Sequence, residues 1–226
     1  MGGIGKGGFT LVEVLLAMSI FAAVVSTLFL SFNTIASSVG PIQEGITTHE
    51  TATLALERLV TDVKATCITQ PPAYAPPDGG EDGDRFRWVA GEDSLDGERF
   101  SRLRFASFEH LPLPLNGEER IGIIGYGVVL DKDGGLVLKR WDTALTQYAG
   151  EDEWIPEEAP VICDGIRAFE LEFMDGEGEF HRDWDSDDST FRYATPRALR
   201  IRLGVGEPPR YFSTTVFLAV ARGAVP

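Results

Sequence analysis

Twenty-four residues, Phe9 to Phe32, form an apolar run broken by a single charge, Glu13. As an α-helix this run is ~36 Å long, enough to cross the hydrocarbon core of a bilayer. It is apolar all round, which fits a membrane span better than one face of a soluble helix. The residues before it, Met1 to Gly8, are mostly glycine with one cation, Lys6. An ordinary secretory signal places its cleavage site after the apolar stretch. Here the small residues Gly7 and Gly8 come first, so cutting there keeps the hydrophobic helix in the mature chain. An acidic side chain is costly in lipid and is therefore a functional candidate. The expected partner of Glu13 is a new α-amino group at Phe9, on this chain or a neighbour, offsetting part of the desolvation cost.

The sequence Gly8-Phe9-Thr10-Leu11-Val12-Glu13 resembles the prepilin processing site of type IV pilins and type II secretion pseudopilins. The resemblance implies cleavage between Gly8 and Phe9 by a prepilin peptidase, then N-methylation of Phe9. It also implies that Glu13 docks the subunit during assembly. The protein it describes crosses the bacterial inner membrane once and holds its globular domain in the periplasm.

The formal net charge is -15, from 35 acidic and 20 basic residues. Such a surface repels phosphate backbones and argues against nucleic-acid binding. The basic residues around Arg85, Arg102 and Arg200 alternate with apolar ones and read as solvated faces of strands. About 43% of residues are hydrophobic, which supports a packed core and argues against wholesale disorder.

Gly40-Pro41 predicts a kink or short break in the helix. Beyond it Ile42, Ile46, His49, Thr53, Leu56, Val60 and Val63 recur at spacings of four and three, an amphipathic stripe. Glu44, Glu50, Glu57 and Asp62 supply polar positions, and His49 reads as a half-buried stripe residue. Pro71 to Gly80 is an extended loop, and the acidic stretch Gly91 to Glu98 is a second loop. Period-two alternation then marks strands at Leu103 and Phe105, at Phe169, Leu171 and Phe173, and at Leu199, Ile201 and Leu203. Gly125–Leu130 and Leu136–Trp141 flank the turn Asp131–Gly135 and predict a hairpin. Asp175–Gly178 is a tight turn, and Tyr211 to Val220 reads as a last, well-buried strand.

Strands without intervening helices predict an antiparallel α+β domain. The expected organisation is a leader at 1–8, a membrane and filament-core helix at 9–32 and its amphipathic continuation at 33–66. A β-rich periplasmic domain follows at 67–226. This is the pilin-like fold, a long N-terminal helix packed on an antiparallel sheet.

A second resemblance lies in the C-terminal half. A hairpin near Tyr126 to Trp141 precedes Asp164-Gly165, the strand Ile166–Phe173, Trp184, and Thr195-Pro196-Arg-Ala-Leu-Arg-Ile-Arg-Leu203. This order is similar to minor pseudopilin J (GspJ) of type II secretion systems, with Leu199 in place of the usual valine. The resemblance implies a subunit near the pseudopilus tip. Its partners there are minor pseudopilins I and K, the major pseudopilin and exported protein cargo. The Pro71–Asp84 loop and the Asp183–Asp188 cluster belong to no pattern of that family. A minor pilin or tip adhesin of a type IV pilus shares the same N-terminus and is the alternative.

Cys67 and Cys163 are able to close a disulfide in an oxidising compartment, or to remain two buried thiols that never meet. Asp183, Asp185, Asp187 and Asp188 offer closely spaced oxygens, as a calcium loop does. An EF-hand requires glycine where Asp188 stands and glutamate where Ala194 stands, so that motif fails. A solvated acidic loop is the favoured reading, with a calcium site of another kind as the alternative. His49, His110 and His181 lie in unlike contexts, and no nucleophile motif or phosphate-cradling loop is present. Gly122 to Gly127 contains spaced glycines but reads as β packing. The sequence therefore argues for an assembly protein without a cofactor, not an enzyme.

Overall fold

The computed structural model describes residues 10–77, 83–110, 121–145 and 155–225. The chain divides into two compact units, residues 1–47 and 48–226. One helix, α1, spans Leu11–Lys64 and so contributes to both. Helical backbone runs through Gly40-Pro41, where a kink or short break was expected, without a break in the helix.

The second unit starts at Thr48. Among the described residues its strands are β1 Val89–Leu95, β2 Glu98–Ser107, β3 Gly122–Leu130, β4 Leu136–Ala144, β5 Val161–Cys163, β6 Ile166–Met174, β7 Phe180–His181, β8 Trp184–Asp185, β9 Ala198–Val205 and β10 Arg210–Phe217. They form a six-stranded sheet in the order β5-β4-β3-β2-β1-β8 and a four-stranded sheet in the order β10-β9-β6-β7. Every pairing is antiparallel. The α+β expectation holds, with two sheets in place of one.

One core joins the helix to both sheets. Ala52, Ala55, Leu59 and Val63 of α1 share it with Phe105 and Tyr126 of the larger sheet and with Phe169, Phe173 and Ile201 of the smaller. Trp88 stacks on Phe105 at 4.6 Å and meets Phe173 edge-on at 6.4 Å. The helix stripe that reaches this core is rotated from the expected one. Ala52, Ala55, Leu59 and Asp62 are buried together with Val63 of the expected stripe, whereas His49 is exposed and Thr53, Leu56 and Val60 are half-buried. Small alanines let the helix approach the sheets closely, and the larger residues pack along the flank.

Three further expectations are corrected. The stretch from Gly91 is not a loop: β1 pairs with β2 through Leu95↔Glu98, and only Asp96-Gly97 turns. Both turn residues have positive φ, 51° and 84°, as the tight hairpin turn that suits Asp-Gly requires. Arg104 is not on a solvated face but is 3% exposed. It lies on β2, between β1 and β3 in a sheet with apolar clusters on both sides, so alternation does not lead to water there. The last strand is β10, an edge strand on which only Val216 is buried.

The hairpin around Asp131–Gly135 forms as expected and extends further, with register from Leu130↔Leu136 to Gly122↔Ala144. Gly125 belongs to its packing: a Cβ there would lie 1.8 Å from Nε1 of Trp141.

Candidate functional site

The N-terminal helix begins with a reciprocal cap. Thr10 donates its backbone N–H to Glu13 Oε2 at 2.9 Å and its hydroxyl to the same oxygen at 3.0 Å. The Glu13 N–H in turn donates to Thr10 Oγ1 at 3.3 Å. Threonine followed three residues later by glutamate satisfies donors that a helix start leaves open. Glu13 thus has a partner within its own chain besides any amine supplied in assembly.

From Leu11 to Phe32 every residue is exposed. Three of its hydroxyls are turned back on the helix: Ser19 donates to the Leu15 carbonyl, Ser26 to that of Ala22 and Thr27 to that of Val24, each at 2.8 Å. The segment of 22 residues is ~33 Å long. It presents to its surroundings a largely hydrocarbon surface, with these three hydroxyls bonded to the helix's own carbonyls, as suits a bilayer. Gly8 and Phe9, where processing is expected, lie outside the described residues.

Residues 5–29 match the Prokaryotic N-terminal methylation motif family. The chain carries a type IV prepilin-like signal. This signal implies processing by a prepilin peptidase and pilin-type assembly. Together with the apolar helix it fits a single-pass membrane anchor. No curated protein matches the chain.

The acidic stretch expected as a solvated loop or calcium site is divided among separate tasks. Asp183 is exposed at the rim of a cavity. Asp185 accepts the Asp187 N–H at 2.9 Å. Asp188 accepts the Thr190 N–H at 2.7 Å and caps the short 3-10 turn Ser189–Phe191, and that backbone bond lowers its pKa. Asp187 is buried. It accepts the Asp84 N–H at 2.6 Å and the Tyr74 hydroxyl at 3.0 Å. Burial raises its pKa despite these donors.

Asp187 is one wall of a knot around Arg222, which is 1% exposed. Arg222 donates to the carbonyls of Tyr193 at 2.7 Å, Thr69 at 3.1 Å and Ser186 at 2.6 Å. It also donates to Asp84 Oδ2 at 3.1 Å, and its guanidinium lies 3.3 Å from the Tyr74 ring centroid. One side chain therefore ties the proline-rich segment, the acidic loop and the C-terminal segment together. The sequence reading assigned Arg222 no role, since one arginine after an apolar strand gives no local signal.

A second knot surrounds Asp62, read from sequence as a polar surface position and in fact wholly buried. Arg140 Nε donates to its Oδ2 at 2.7 Å, Arg58 Nη2 lies 2.9 Å from its Oδ1, and the Tyr126 hydroxyl also donates to it. Arg140 continues to Asp142 at 3.0 Å, and His110 Nδ1 hydrogen-bonds to Asp142. A buried carboxylate needs such company to stay ionised. The network pins α1 to β3 and β4 from the polar side.

The three histidines remain apart in role. His49 bonds to Thr53 Oγ1 at 3.1 Å and leans on Phe212, His110 joins Asp142, and His181 bonds to Asp175 at 2.9 Å. Cys67, half-buried, and Cys163, buried, are free thiols in different apolar clusters.

Proposed function

We propose that this chain is a minor pseudopilin of a type II secretion system, an assembly subunit that works at the pseudopilus tip and has no catalytic role. The observation that carries the reading is the prepilin-like signal, set on a helix whose apolar surface is exposed over its first 22 residues. Such a helix is stable in lipid, or where neighbouring subunits replace the lipid with helix packing. The finer assignment is supported by the order of elements after the β3–β4 hairpin. Asp164-Gly165 leads into β6, Trp184 follows the turn, and Pro196 leads into β9. In this reading the domain sits in the periplasm and binds minor pseudopilins I and K.

The test is co-expression of the full-length chain with those two partners, followed by purification in detergent. A stable complex of all three at equal stoichiometry is the expected result. Failure to associate, with each partner shown to be folded, overturns the secretion-tip reading in favour of a type IV pilus subunit.

A further inference from the structure

We propose that Asp175, Glu179 and His181 form a binding site for a divalent transition metal of the zinc type at the tip of the β6–β7 hairpin. The register builds it. Phe173 pairs with His181 and Met174 with Phe180, and the Asp175 N–H donates to the Glu179 carbonyl at 2.9 Å. Directly opposed residues share a face, as do residues two apart on a strand. Asp175, Glu179 and His181 therefore lie on one face, with Met174 and Phe180 on the other. Their ligand atoms all fall within 4.8 Å of one another.

Two of the three donors are held before any ion arrives. Asp175 Oδ1 accepts the N–H groups of Glu177 at 2.9 Å and Glu179 at 2.8 Å, which leaves Oδ2 facing His181 Nε2 at 2.9 Å. The imidazole is set edge-on against Phe191 at 5.5 Å and Trp184 at 6.0 Å. Outer contacts that fix a ligand's direction strengthen a metal site. Glu179 is exposed and enters no side-chain ion pair among the described residues, so it is free to turn inward as the third arm.

Bonds of about 2.0–2.2 Å would draw the three atoms around one ion, which replaces the Asp175–His181 hydrogen bond. One imidazole nitrogen with two carboxylates selects a borderline cation over calcium, which takes oxygen ligands. Three protein ligands leave a coordination position open. Water, or a side chain of a neighbouring subunit, would complete the shell there.

The experiment is zinc titration of the full-length protein in detergent after chelator stripping, followed by calorimetry and by competition with a chromogenic chelator. One zinc per chain is expected, undisturbed by millimolar calcium. Glu179→Gln, an exposed change that leaves the fold intact, and His181→Gln should each weaken binding at least tenfold. Asp133→Asn, in the distant β3–β4 turn, should leave it unchanged. Absence of zinc uptake reduces the site to an ordinary hydrogen-bonded pair and overturns the proposal. Uptake that survives both Glu179→Gln and His181→Gln overturns it equally.

Discussion

Arg140 Nε lies 2.7 Å from Asp62 Oδ2, and the carboxylate of that pair has no exposure to water. Asp62→Leu would strand Arg140, itself 5% exposed, with only Asp142 to balance its charge. Removing one partner of a buried pair costs about 3–5 kcal/mol, while replacing both by apolar groups is far milder. Urea unfolding of the full-length protein should therefore show a large loss for Asp62→Leu. Part of that loss should be recovered in Asp62→Leu/Arg140→Leu. A single variant as stable as the parent would show that the pair does not hold α1 to the sheet.

Tyr126 supplies the pH signature of the same network. Burial, then the charge of Asp62, hold its phenol protonated well above the usual value. Below pH ~10 the folded and unfolded chains both keep that proton, and no pH dependence arises. Above it the unfolded chain loses the proton first, so stability falls, by up to about 1.4 kcal/mol per pH unit. Tyr126→Phe should flatten the decline in the urea midpoint between pH 10 and 11, even though it lowers stability at pH 8. An unchanged slope would place the alkaline sensitivity elsewhere.

Arg222→Met should destabilise the protein by about 3–5 kcal/mol, because it leaves the buried Asp187 and its neighbour Asp84 without their cation. Burial already raises the pKa of Asp187, so its protonated form is the one the fold favours. The penalty should therefore be larger at pH 7 than at pH 4, where protonation relieves it. Arg222→Lys keeps charge but loses the planar fork that reaches three carbonyls at once, and should fall between. Thermal melts at the two pH values separate these cases.

What could be read from sequence followed from how local each signal was. Period-two alternation placed β6 and β9, and Asp131–Gly135 placed the β3–β4 hairpin, because turn chemistry and facing are properties of adjacent residues. The helix was harder: two stripes with spacings of three and four coexist. The larger side chains of Ile46, Leu56 and Val60 drew the expectation, whereas the closer contact was made by Ala52, Ala55 and Leu59. Asp62 falls on that second stripe, so its burial followed from choosing the right face. Arg140 and Arg222 gave no such clue, since the carboxylates of Asp62 and Asp84 that they meet lie 78 and 138 residues away in sequence. The membrane signal was complete in sequence because it is compositional, and its Thr10–Glu13 cap is a motif of four residues.

Cys163 is 1% exposed, and burial followed by the nearby Asp164 pushes its thiol up to about 12. Burial also raises Cys67. The thiolate is the reactive form, so native Cys163 should resist a chromogenic disulfide reagent at pH 8. Both thiols should titrate after denaturation, and a reductant should not shift the melting temperature. A fully denatured protein that yields no thiol before reduction would instead establish a bond between Cys67 and Cys163.

Glu13 caps its own helix, and the sequence assigns it a second, assembly partner as an expectation; the two predict different things. Within the chain its carboxylate caps the helix start through Thr10. In an assembled filament its charge is expected to meet the amine that processing creates at Phe9. Glu13→Gln keeps the hydrogen-bond acceptor and removes the charge, so the helix cap survives while the ion pair does not. In the native host, Glu13→Gln should be cleaved by the peptidase normally yet be recovered in sheared filament fractions at a small share of the parent level. Gly8→Leu should fail one step earlier and accumulate as the uncut precursor on an immunoblot. If Glu13→Gln assembles as well as the parent, the residue acts only as a helix cap. If Gly8→Leu is cut normally, the processing site lies elsewhere.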